Sequence, residues 1–325
     1  MTASIGSLLI PIAAALSLAG SPSIGSAAPR YRLVDLGANT AASAIDGHGT
    51  VAGQFVTPTG AMTAGVERAG RWRARDMSSA IAIDDAGEVL GFDALGRTVV
   101  QASATAEVVS VPPVPGNDMS YGYGIARGRV VGTAERLPDG VLACYVWSQA
   151  EGFTLFTPPG FPCQAIAINA AGQATGWHLD AGGNTVAFVW QDGTFTDLPP
   201  MPHAASAGIA EGQAINRLGH VTLFARLDDG SNVAGLSDGR STRNLGPTTP
   251  GLVIALNDRD EVVGTDPQGE GWLWKAGTRR PLAALAGNAH GWSALQPTGI
   301  DAAGVIVGNG RSGGLPHAFM LVPLP

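Results

Sequence analysis

Ala165-Ile166-Ala167-Ile168-Asn169-Ala170-Ala171-Gly172-Gln173-Ala174-Thr175-Gly176-Trp177 is an apolar run ending in Ile-Asn, a turn closed by Gly, and a second apolar run. The same pattern reads Ala44-Ile45-Asp46 before Val51-Ala52-Gly53, Ala82-Ile83-Asp84 before Val89-Leu90-Gly91, and Gly124-Ile125 before Val130-Val131-Gly132. It returns as Ala214-Ile215-Asn216 before Val221, Ala255-Leu256-Asn257 before Val262-Val263-Gly264, and Gly299-Ile300-Asp301 before Ile306-Val307-Gly308. The anchors 45, 83, 125, 168, 215, 256 and 300 lie about 42 residues apart, a period that marks a propeller or a solenoid.

The repeat around Asn169 resolves into four strands: Ala165 to Asn169, Gln173 to Trp177, Ala187 to Trp190 and Phe195 to Leu198, designated A to D. Asn first and Gly fourth between A and B is a type I turn pattern, because the Asn side chain bonds its own backbone and Gly tolerates the exit geometry. Asp84 to Gly87, Asn216 to Gly219 and Asp301 to Gly304 repeat it, so these Asn and Asp residues are turn formers first. Asp192-Gly193 and Asp238-Gly239 mark C-to-D hairpins. Trp147, Trp190 and Trp274 recur just before that turn, where an aromatic fills the wedge between adjacent sheets.

The run Ala187-Phe188-Val189-Trp190-Gln191-Asp192-Gly193-Thr194-Phe195-Thr196-Asp197-Leu198, the Ala-Ile-Asn turn and the Val-Val-Gly strand together resemble the HAF repeat of predicted extracellular bacterial proteins. His317-Ala318-Phe319-Met320 preserves the three letters themselves. The resemblance covers the mature chain, with the second and fifth repeats degenerate and the third short of a turn residue at Arg127-Gly128. It implies an exported, propeller-like protein and brings no catalytic residues with it.

Counting strands shows how the ring closes. The last repeat ends after strand C at His317 to Val322, while Tyr31-Arg32-Leu33-Val34-Asp35-Leu36-Gly37 reads like a strand D at the other end of the chain. An N-terminal strand completing the C-terminal blade leaves no open edge. The expected fold is all-β: a single seven-bladed β-propeller of four-stranded antiparallel blades over residues 29–325, ahead of six- or eight-bladed rings or an open solenoid.

Forty-six Gly and 22 Pro in 325 residues fit many short strands separated by turns. A formal charge of −7 and a pI near 5.3 argue against nucleic acid or an anionic membrane as partner, since both need a clustered basic surface. Arg71, Arg73 and Arg75 alternate along one strand and read as a solvated outer edge. Residues 1–28 have the shape of a secretory signal peptide, with an apolar core from Ser7 to Ala19 and small residues at Ser26-Ala27-Ala28. That core is short for a membrane span, and no second one follows, so a secreted or periplasmic location is expected; retention of an uncut segment is the lesser alternative. Cys144 and Cys163 lie in neighbouring repeats, and an oxidising compartment favours a disulfide over two buried thiols.

Two motif matches fail their context. Gly235-Leu236-Ser237-Asp238-Gly239 has the letters of a nucleophile elbow but occupies a hairpin, not a strand-to-helix turn. Gly308-Asn309-Gly310-Arg311-Ser312-Gly313 matches a dinucleotide fingerprint but reads as a loop leading into strand C of the last repeat, with no helix to hold a phosphate. No metal or cofactor motif is present.

In a meander, A-to-B and C-to-D turns share one face, and B-to-C and D-to-A connections share the other. The second set holds the long segments 112–121, 134–141, 178–186, 199–212 and 283–296, and binding usually resides on loops held by a rigid scaffold. Tyr121, Glu135, His178, Asp180, His203, Asp266, His290 and Trp292 therefore form the candidate ligand-binding set; His48 and His220 lie on the opposite face. The expected function is recognition of an extracellular glycan or peptide by a monomer with no cofactor. A carbohydrate-active lyase or hydrolase is the runner-up, and a structural envelope or matrix protein the third possibility.

Overall fold

The computed structural model describes residues 30–136, 140–156, 158, 162–204, 209–252 and 254–325; the expected signal peptide lies outside them. Seven four-stranded antiparallel sheets follow one another around an axis. Blade 4 comprises Cys163–Ile168, Ala174–Leu179, Thr185–Gln191 and Thr194–Asp197, and blades 1 to 6 are built in that same chain order. Blade 7 takes Trp292–Ile300, Ile306–Ser312 and Leu315–Pro323 from the C-terminal repeat, and Tyr31–Ala38 from the N-terminus is its outer strand. Leu33 lies opposite Leu321 and Asp35 opposite Phe319 in that closing pair. Arg71–Ala74 is the outer strand of blade 1, the edge position that its alternating arginines imply.

Strand A is the innermost strand, and strands A of successive blades contact one another. Seven sheets meeting on one axis leave little room, which explains why the residue before each anchor is Ala44, Ala82, Gly124, Ala167, Ala214, Ala255 or Gly299. A Cβ on Gly124 would stand 2.9 Å from the carbonyl oxygen of Ile166 in the next blade, closer than packed interiors accept. The Gly of Val-Val-Gly has a different cause. A Cβ on Gly132 or Gly308 would run into the strand A carbonyl of Tyr121 or Gln296 and into the hydroxyl of Tyr145 or the ring of Phe319 from strand C. The glycine lets a large side chain cross strand B.

Blade 5 shows the rule by exchange. Leu223 occupies the strand B glycine position, and its register partner on strand C is Gly235, so bulk and space have changed strands. Gly235 is therefore a packing residue, and Ser237 of the false nucleophile elbow is buried in strand C with its hydroxyl bonded to the Ser241 carbonyl. Gly308 to Ser312 also belongs to a strand, B of blade 7, and not to the loop expected for it.

The core lies between blades rather than inside them. One cluster joins Leu90 and Val100 of blade 2 to Ile125, Val130, Tyr145 and Trp147 of blade 3, and Trp147, Trp190 and Trp274 are all buried as wedges. A disulfide joins Cys144 on strand C of blade 3 to Cys163 on strand A of blade 4, with Cα atoms 5.4 Å apart. A bridge across 19 residues contributes about 3 kcal/mol in the chain-entropy account.

The closing strand buries Tyr31, Leu33 and Leu36. Each buried leucine contributes about 1.5–3 kcal/mol, a sizeable share of the roughly 5–15 kcal/mol that separates folded from unfolded domains. Deleting Tyr31–Ala38 is expected to give an aggregating protein or a strongly lowered melting temperature by calorimetry. A truncated chain that melts like the same protein with Tyr31–Ala38 intact would disprove closure by this strand.

Candidate functional site

The A-to-B turns form a belt around the axis. In every blade but the third, the residue directly after the Ile or Leu anchor is a polar anchor, Asn or Asp; it is buried, and its Oδ1 accepts backbone N–H groups from its own turn: His48 and Thr50 for Asp46, Ala171 and Gln173 for Asn169, Leu218 and His220 for Asn216, Arg259 and Glu261 for Asn257. Where the anchor is Asn, its amide donates to the anchor carbonyl of the next blade, Asn169 to Asn216, Asn216 to Asn257 and Asn257 to Asp301. The turn residues thus also stitch blade to blade.

This belt rims an axial depression of about 380 Å³. Its floor is the anchor ring, Ile or Leu from every blade, and its rim carries the residues that follow the anchors. Arg217 and Asp258 on that rim neutralise each other at 2.6 Å, and the Gly47 N–H donates to Asp85. An axial depression on the short-turn face is a feature that the long-loop argument passed over; its signal was the recurring anchor itself.

The eight expected binding residues are spread over several blades. Tyr121, Glu135, His178 and Trp292 lie in strands, not loops. His178 is buried, with Nε2 2.8 Å from Asp197, Nδ1 3.0 Å from the Leu179 carbonyl, and Phe195 edge-on to its ring. Asp180 and Asp266 close B-to-C turns by accepting Gly182 and Asn184, and Gln268 and Glu270, respectively; the Asn184 hydrogen bonds hold the Asp180 carboxyl below its ordinary range. Trp292 packs edge-on against His317 and Phe319, so it belongs to blade packing. His203 and His290 are exposed. His178, Asp266 and His290 do not converge: among the described residues, no three His, Cys, Asp or Glu side chains come together as metal ligands.

What does gather at the long-loop end is an aromatic and amide cluster on blades 3 and 4. Tyr121 and Tyr123 stand on strand A of blade 3, and Gln164 on strand A of blade 4 accepts a hydrogen bond of 2.8 Å from Trp177 Nε1. Burial raises the Tyr123 hydroxyl above its ordinary pKa, opposed by a hydrogen bond with Gln164, while Tyr121 and Glu135 raise it further. Burial alone raises the Glu211 carboxyl on strand A of blade 5. Tyr123 is the bulged residue of its strand, which re-aims a side chain. Tyr121 and Glu135 are the members of the expected set that join this cluster; Tyr-Gly-Tyr-Gly at 121–124 was the signal for the rest.

The architecture matches known propellers. It superimposes on virginiamycin B lyase from Staphylococcus aureus with a TM-score of 0.53 and 13% identity, covering 90% of this chain and 100% of that one. For the acylaminoacyl peptidase of Pyrococcus horikoshii the values are 0.54 and 13%, over 88% of this chain and 51% of that one. At such identity the likeness is one of fold. No protein-family model and no curated protein matches the sequence.

Two predictions test the belt. Asn216→Ala leaves the Leu218 and His220 N–H groups without their acceptor and removes the amide hydrogen bond to the Asn257 carbonyl, and the expected loss is about 2–4 kcal/mol by denaturant unfolding; an unchanged midpoint would show that the belt is ornamental. The second concerns the residue four after the anchor. Asn169 donates to Gln173 and Asn257 to Glu261, each at 2.7 Å, but Asp84 faces Glu88, and two carboxyls share a hydrogen bond only through a retained proton. Burial and then Asp84 raise Glu88 above its ordinary 4.5. A raised folded-state pKa means stability that is full below the unfolded value and is lost as pH rises through the folded one. Glu88→Gln, which carries its own N–H donor, is expected to be more stable than the parent at pH 8, with the advantage vanishing at about pH 4. Equal melting curves at both pH values would exclude the shared proton.

Proposed function

We propose that the protein is an exported recognition module of the HAF-repeat kind, freed of a leader ending near residues 26–28, that captures an extracellular glycan or peptide on its long-loop face as a monomer. The observation that carries this is the Tyr121, Tyr123, Gln164 and Trp177 cluster. Aromatic rings offer rigid apolar faces with polar edges, the chemistry that stacks on sugar rings or peptide side chains, and an amide adds directional hydrogen bonds. Strands place these groups more firmly than loops would. The disulfide joins the same two blades and fits an oxidising compartment, and among the described residues no helix is long and apolar enough to cross a membrane.

The enzyme alternative, a carbohydrate-active lyase or hydrolase, needs a side chain free to move a proton. His178 has both ring nitrogens engaged and its ring packed, which favours recognition. A screen of the processed protein against glycan and peptide arrays tests the proposal. Binding to one ligand class is expected, weakened about tenfold, or 1.4 kcal/mol, by Tyr121→Ala, with thermal melting unchanged. Binding that survives Tyr121→Ala and Trp177→Phe, or polysaccharide turnover abolished by His178→Ala, would refute it.

A further inference from the structure

The closing strand builds a second feature, independent of the cluster on blades 3 and 4. Between the outer strand pair of blade 6 and the closing strand of blade 7 lies a groove of about 590 Å³, within the size range of small-molecule sites. Tyr31, Leu273 and Leu285 give it an apolar wall, and all three are buried. Arg30, Lys275 and Arg280 are the charged side chains among its lining residues, with Glu261 paired to Lys275.

In a chain of net charge −7, this is a local reversal of sign. Lys275 is already held at 2.6 Å by Glu261, whose other oxygen binds Arg259. Arg280 lies across the strand pair from Leu273 and is half-buried; among the described residues neither it nor Arg30 forms an ion pair. A guanidinium beside a low-dielectric wall gains more from an anion than one in open water does. A polyanion would satisfy the charge and leave the wall unused, while a neutral apolar body would fill the wall and leave Arg280 unmatched.

We propose that this groove binds an apolar monoanion, a free long-chain carboxylate, with its chain along Tyr31, Leu273 and Leu285 and its head on Arg280 and Arg30. The test uses the processed protein, with anilinonaphthalene sulfonate as a fluorescent apolar anion. Saturable dye binding is expected, displaced by laurate and not by dodecanol, and Arg280→Glu should weaken laurate about tenfold without moving the thermal melt, whereas Arg280→Lys should retain most of the affinity. Equal displacement by dodecanol, or laurate affinity untouched by Arg280→Glu, would overturn the proposal. So would absence of binding. Dye binding abolished in a chain that keeps residues 1–29 and present in the processed one would assign the groove to the leader and equally overturn a fatty-acid site.

Discussion

Convergence of seven sheets on one axis is the constraint from which the rest of this structure follows. The inner strands must approach so closely that the residue before each anchor is limited to Ala or Gly, and the next residue, Ile or Leu, closes the floor of the axial depression. The polar anchor that follows, Asn or Asp, then serves two needs at once. Its carboxyl or amide oxygen satisfies the N–H groups of a tight buried turn, and in blades 4 to 6 its amide reaches the neighbouring blade. Buried polar groups are costly unless fully paired, so this single side chain both makes the turn possible and ties it into a ring.

The same constraint explains why the fold was legible in the sequence. An axis imposes an identical demand on every blade, and identical demands leave a periodic trace: Ala-Ile-Asn, the turn Gly, Val-Val-Gly. The missing last strand could be counted because each blade needs four. What periodicity hides is compensation. Blade 5 looks degenerate because Leu223 and Gly235 exchange roles across a strand pair. In blade 6 Asp260 takes the positive φ that Gly takes elsewhere, and its carboxylate accepts from Asn216. Both exchanges keep the local volume or hydrogen bonding while erasing the letters.

The site was less legible, for a physical reason. Strand ends on the long-loop face carry polar residues and glycines, so Tyr121, Glu135, His178 and Trp292 read as loop residues although they extend their strands. His178 and Trp292 then turn out to be packed. Which side chains meet depends on how one blade's strand A lies beside the next, and that relation joins residues some forty positions apart with no local signature. Tyr123 and Gln164 are such a pair, 41 positions apart by number and brought together by the ring.

The two faces consequently divide the work. On the short-turn face nearly every acidic or amide side chain is consumed by its own turn or by the neighbouring blade, so variation there is paid in stability, and rim charges such as Arg217 and Asp258 cancel locally. At the other end Asp180 and Asp266 close their own B-to-C turns in the same way, but the starts of the inner strands do not repeat. Tyr121 and Tyr123 have counterparts in Gln164 and Ile166 of blade 4 and in Glu211 and Gln213 of blade 5, so those positions differ freely while the anchors below them do not. A ring stitched through its short-turn face thereby leaves the opposite ends of its inner strands free to differ from blade to blade.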